Sequence, residues 1–123
     1  MSNDLRPVAW IASSRKDLKS FPDEVQFAMG FGLFEAQRGR KHKDAKPLTG
    51  FGGAGVLEII SNFDGDTFRA VYTVRFQEVV YVLHCFQKKS KSGIATPKQD
   101  LDLIKSRLRV AESEYEEWKK KKI

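Results

Sequence analysis

Thr67–Lys89, TFRAVYTVRFQEVVYVLHCFQKK, decides how this chain is read. It divides at Phe76–Val79 into two runs with strand character. Successive residues of a strand point to opposite faces. Arg69, Val71, Thr73 and Arg75 therefore share one side, and Phe68, Ala70, Tyr72, Val74 and Phe76 the other. A two-residue turn at Gln77-Glu78 sets Phe76 opposite Val79, Arg75 opposite Val80, Val71 opposite His84 and Arg69 opposite Phe86, with Lys88 one step beyond. One face is then mostly apolar (Ala70, Tyr72, Val74, Tyr81, Leu83, Cys85), and the other is mixed, with Arg69, Arg75, His84 and Lys88. Gln-Glu is poor turn chemistry, and a longer loop would slip this register.

Upstream, Val56–Phe63 reads as a strand closed by Asp64-Gly65-Asp66. With Gly65-Asp66 as the turn, Leu57, Ile59 and Phe63 fall on the apolar side and Glu58 and Asn62 on the Arg69 side. Arg40–Gly55, basic and then glycine-rich, reads as one long loop. Before it, Pro7–Ile11 is an opening strand, and Ser13 or Ser14 caps a short helix through Arg15–Ser20. Pro22 opens a second helix that Gly39 ends. Val25, Ala28, Met29, Leu33 and Ala36 recur there at helical spacing beside a stripe of Phe27, Phe31 and Phe34. So wide an apolar surface predicts burial against a sheet. Gly30 and Gly32 weaken a helix, and close approach to another element is one reason to have them. Downstream, after a polar link, Thr96-Pro97-Lys98-Gln99 is a helix start. Leu101, Ile104, Leu108, Ala111, Tyr115 and Trp118 then alternate steps of three and four along a long amphipathic helix. This order predicts one α+β domain over residues 1–123. Its small antiparallel sheet, an opening strand plus a three-strand meander, is packed by two N-terminal helices and followed by a long C-terminal helix.

The chain has 123 residues, 41% of them hydrophobic, and a formal charge of +6. That charge favours a polyanion or an acidic protein as partner, although part of it lies in the tail Lys119–Lys122. No apolar run approaches the ~20 residues a bilayer span needs, and the N-terminus lacks a cleavable-signal layout. A cytoplasmic protein without a membrane partner is expected. Cys85, the single cysteine, reads as a small core hydrophobe in a reducing compartment. His42 and His84 show no metal-ligand spacing, Cys85 points away from His84, and neither histidine sits beside an obvious nucleophile. No metal or other cofactor is expected.

Gly50–Gly55 matches G-x-G-x-x-G by letter, but it follows Pro47 and enters a strand, the reverse of a dinucleotide fingerprint. A flexible loop is the plainer reading, and glycines also let backbone N–H groups approach an anion. The cationic face says more. A mid-strand arginine such as Arg69 either pairs with an acid such as Glu58 or, in a partly buried pocket, takes an anion. His84 is either a packed polar residue or an acid/base. Lys88 and Lys89, with Lys91 following, form either a solvated charge run or a phosphate clamp.

Phe68-Arg69-Ala70-Val71-Tyr72, Lys46-Pro47-Leu48-Thr49-Gly50, Val56-Leu57-Glu58, Phe86-Gln87-Lys88-Lys89, and Thr96-Pro97 with the later Arg107 give the resemblance its specificity. Together with the order of elements, they resemble the RelE/HigB superfamily of toxins, in particular its phage-derived HigB-like branch. The resemblance covers nearly the whole chain. It implies a RelE-like fold and the toxin of a type II toxin–antitoxin system. Such a toxin is an endoribonuclease that cleaves mRNA on the ribosome without a metal ion, and a small antitoxin, often a helix-turn-helix protein, neutralises it. By the same resemblance Arg69 stabilises transition-state charge, Lys89 with Lys88 clamps phosphate or protonates the leaving group, and His84 or Glu58 is the base. Lys43, Lys46, Arg75 and Lys91 are the further RNA-contacting cations. The sequence departs from the RelE pattern in having lysine at the late basic position and no clear counterpart of its C-terminal catalytic tyrosine. A ParE-like gyrase inhibitor and a non-catalytic basic RNA-binding module are the alternatives. The nuclease reading requires the cations to share one concavity rather than be neutralised by internal acids.

Overall fold

Alternating apolar residues in the C-terminal half build a sheet buried on both faces. The structure, a computed structural model, describes residues 5–53, 55–88 and 96–121. Its elements run β1 (Val8–Trp10), α1 (Ser14–Lys19), α2 (Asp23–Gln37), β2 (Ala45–Pro47), β3 (Val56–Phe63), β4 (Asp66–Thr73), β5 (Val80–Lys88) and α3 (Lys98–Lys121). The fold class is α+β, with five strands in the order β1-β5-β4-β3-β2.

Two features correct the expected sheet. β1 joins β5 in parallel, with Val8 beside Val80, so the sheet is mixed rather than antiparallel. The long connection from β1 to β5, carrying two helices and three strands, leaves room for the crossover that parallel pairing requires. β2 lies inside the segment read as one long loop and pairs antiparallel with β3. Its exposed Pro47 suits an edge strand, where a missing N–H breaks no ladder.

Asp64-Gly65, not Gly65-Asp66, forms the β3–β4 turn, because Phe63 pairs with Asp66. Both turn residues have positive φ, 52° and 84°, as a tight hairpin of the Asp-Gly type requires. The correction moves each pair by two positions, so every side chain keeps its expected face. In the β4–β5 hairpin Val71 faces His84 and Arg69 faces Phe86, as expected. Nearer the turn the register shifts: Tyr72 meets Val82 and Thr73 meets Tyr81, leaving Leu83 without a partner on β4. The pairs expected at Phe76–Val79 and Arg75–Val80 fall outside the strands. This bulge turns Tyr81 and Leu83 to the opposite face from Ala70, Tyr72 and Cys85.

One face carries Tyr72, Ala70, Cys85, Val80, Val82 and Ile59 against Val25, Met29, Leu33 and Ala36 of α2. Gly32 faces the sheet there, and a Cβ on it would lie 2.6 Å from Ile59 Cδ1, so close packing fixes this glycine. Gly30 has open space instead and no such reason. The phenylalanine stripe of α2 is not buried: Phe27 is 80% exposed, and Phe31 and Phe34 are exposed beside it. The sheet covers only the Val25–Met29–Ala36 arc, which is narrower than the apolar arc of the helix. On the other face α3 lays Ile104, Ala111 and Tyr115 over Val71, Tyr81 and Leu83. The expected stripe of α3 is therefore correct, and it covers the face that bears Arg69.

Candidate functional site

Strand pairing assembles the site. Lys46 pairs with Glu58, Glu58 with Val71, and Val71 with His84, so one row across four strands carries a lysine, a carboxylate and an imidazole. Cross-strand partners share a face, and all of these face α3. Arg69, between Ile60 and Phe86, lies diagonally from Glu58 on that face.

The Arg69 guanidinium donates through Nη1 to Glu58 Oε1 at 2.8 Å, and their side chains are 3% and 6% exposed. The same nitrogen lies 3.3 Å from Thr96 Oγ1, just ahead of α3. His84 Nε2 is 2.8 Å from Asp100 Oδ1, and its ring stacks on Phe86 at 4.6 Å. Arg107 Nη1 donates to the Leu83 carbonyl at 2.9 Å and lies 3.4 Å from His84 Nδ1. Guanidinium can only donate, so Nδ1 accepts and the Nε2–H donates to Asp100. Asp100 is half-buried, and the first turns of α3 close over the row.

This geometry corrects the expected open cationic face. A guanidinium so enclosed, with Nη1 directed at Glu58 and Thr96, does not present itself to a phosphate, and His84 is held by Asp100 and Arg107. Lys88 ends β5 in a buried position opposite Thr67. Arg75 does not join Arg69. It lies beyond the end of β4, exposed, with Nη2 3.7 Å from Glu112 Oε2, because strand alternation stops at Thr73. Lys43 is exposed ahead of β2. Lys89 and Lys91 lie outside the described residues.

What stays open is a cavity of about 320 Å³ lined by Lys46, Pro47, Leu48, Thr49, Glu58, Thr96 and Leu101. Glu58 reaches it from the sheet, and exposed Lys46 stands at its edge. A carboxylate fixed by a guanidinium and facing a cavity rimmed by an amine can accept a proton from a bound hydroxyl beside an anion. Among the described residues no three His, Cys, Asp or Glu side chains gather as a metal-holding group. Burial pushes the Cys85 thiol up to about 12, which suits the packed role expected of it and not a nucleophile.

Asp100 and Thr96 were not singled out as site residues from sequence. In Thr96-Pro97-Lys98-Gln99-Asp100 they carry the marks of a helix start, and only the docking of α3 on the Arg69 face gives them partners.

No helix among the described residues is long and apolar enough to cross a membrane. A family model described as "Phage derived protein Gp49-like (DUF891)" matches residues 16–109. Among solved structures, the toxin–antitoxin complex RelBE2 from Mycobacterium tuberculosis is similar to this chain at 19% identity. The match covers 68% of this chain and 99% of that one, with a TM-score of 0.48. No curated protein matches the sequence.

Proposed function

This chain belongs to the phage-derived Gp49-like family, and on that premise we propose that it is the toxin of a type II toxin–antitoxin pair. Its chemistry is metal-free cleavage of mRNA on the ribosome, in the manner of the HigB-like branch of RelE toxins. The supporting observation is the Glu58 carboxylate, anchored by Arg69 at 2.8 Å and facing a cavity with Lys46 at its edge. Glu58 takes the proton from a ribose 2′-OH, and the 2′-oxygen bonds to the adjacent phosphorus to give a 2′,3′-cyclic phosphate. The P–O5′ bond breaks as Lys88 or Lys89 protonates the departing 5′-oxygen. Lys46 stabilises the charge gathering on the phosphate. Arg69 acts through Glu58 as a positioning residue, and Asp100 and Arg107 orient His84. Lys88 and Lys89 remain the phosphate clamp of this reading, with Lys43 and Lys91 as outlying contacts. The protein acts in the cytoplasm, and its antitoxin, a helix-turn-helix protein, covers the exposed Phe27–Phe31–Phe34 stripe.

The buried neutralisation of Arg69 by Glu58 fails the requirement for an open concavity of un-neutralised cations, so cleavage in this reading rests on Glu58 and Lys46 instead. The same pair favours a second reading, a ParE-like or RNA-binding protein that inhibits by occupancy alone. Primer extension on cellular mRNA after brief induction separates the two. Cuts confined to translated frames, lost in Glu58→Gln by about 10²–10⁴-fold with the fold intact, support cleavage. Toxicity with intact transcripts refutes it.

A further inference from the structure

We propose that a second cavity, between the glycine loop and the middle of α3, binds a phosphodiester of single-stranded RNA away from the Glu58 position. The assignment rests on the RNA reading above. The cavity is an open groove of about 410 Å³ lined by Gly50, Phe51 and Gly52, by Arg75, and by Lys105, Arg109 and Glu112 of α3. Glu112 lies 3.7 Å from Arg75, and the two surplus cations, Lys105 and Arg109, are exposed. They stand one helical turn apart, where like charges repel each other, and a bound anion relieves that repulsion.

The loop supplies the other wall. At Gly50 and Gly52 the space a Cβ would fill is open, so no side chain there screens the loop backbone from an approaching phosphate. Half-buried Phe51 lines the same cavity and offers a ring on which a base can stack, irrespective of sequence. Cations, bare backbone and an aromatic ring together match a nucleotide strand better than a lone anion.

Continuity supplies the direction. Consecutive residues of one segment line both cavities, 46–49 the first and 50–52 the second. On α3, Leu101 lines the first and Lys105 the second, about 6 Å apart along the helix axis. A strand with its reactive ribose at Glu58 therefore continues into the Lys105–Arg109 cavity.

The test is anisotropy of a fluorescein-labelled 2′-O-methyl oligoribonucleotide, which cannot be cleaved, over a KCl titration. Lys105→Ala/Arg109→Ala is expected to weaken binding at least tenfold and to flatten the log–log salt slope by about 1.4, the value for two lost phosphate contacts. Phe51→Leu is expected to weaken binding roughly tenfold with the salt slope unchanged. Lys120→Ala/Lys121→Ala removes equal charge from the end of α3 and is expected to change affinity less than threefold. Equal losses for the two charge pairs overturn the site in favour of bulk charge. Wild-type binding that survives Lys105→Ala/Arg109→Ala overturns this cavity alone. No wild-type binding at low salt overturns it as well, while frame-confined cuts in the primer-extension assay would leave the ribosomal RNA reading standing.

Discussion

Replacing the Glu58–Arg69 pair separately and together tests how the site is held. Both side chains are nearly inaccessible and meet at 2.8 Å, so either single replacement takes the counter-charge from a buried group. Breaking a buried pair costs about 3–5 kcal/mol, whereas replacing both partners with apolar residues of similar volume is often neutral or stabilising. The two singles should differ. Glu58 borders the cavity, where water can solvate a stranded carboxylate, so Arg69→Met is expected near 3 kcal/mol. Arg69 is enclosed, so Glu58→Leu is expected nearer 5 kcal/mol. At about 4 °C per kcal/mol for a domain of this size, the midpoint falls by roughly 12 and 20 °C. Glu58→Leu/Arg69→Met should return to within about 1 kcal/mol of wild type, a coupling of several kcal/mol. Urea and thermal unfolding of the four proteins, followed by circular dichroism, measure this. Coupling below about 1 kcal/mol would refute the buried-pair reasoning, and a reversed order of the singles would refute the role given to the cavity. The folded double variant also bears on chemistry: if it still cleaves mRNA, Glu58 is not the base.

The Tyr72 hydroxyl is buried and has no hydrogen-bond partner among the described residues, so Tyr72→Phe should be neutral or stabilising by about 1 kcal/mol in urea titration. Burial raises the Tyr72 phenol from 10.0 to about 12 and the Cys85 thiol from 9.0 to about 12. The unfolded chain therefore releases these protons first, and stability should fall as pH rises from about 9 to about 12. Thermal melts across that range should show less of the loss in Tyr72→Phe. Gly32→Ala should lose about 1 kcal/mol by forcing Ile59 Cδ1 aside, yet become stabilising by up to about 1 kcal/mol on an Ile59→Val background, where helix propensity prevails. Urea midpoints of the four proteins read that change of sign.

The α+β class and the stripe of α3 were legible because hydrophobic period reports burial directly. The Arg69-bearing face survived a misplaced β3–β4 turn because a two-position slip preserves alternation. Other features had no local signal. Val82-Leu83-His84 carries no glycine or proline to mark a bulge, and three-residue β2 is too short to show a period. The stripe Phe27–Phe31–Phe34 looks as apolar as the buried arc, and only the width of the sheet decides which arc is covered. The partners of Arg69 and His84 were half legible. Glu58 could be named as the counter-ion of Arg69, but Thr96 beside Arg69 and Asp100 beside His84 depend on which face α3 chooses.

The unpaired Leu83 gives the β4–β5 hairpin two independent frames. Changes in the length of the 74–79 connection can be absorbed where Tyr72 meets Val82, before they reach the row from Lys46 to His84. The tip of the hairpin is thus free to drift in evolution while the alignment of the charged groups stays fixed.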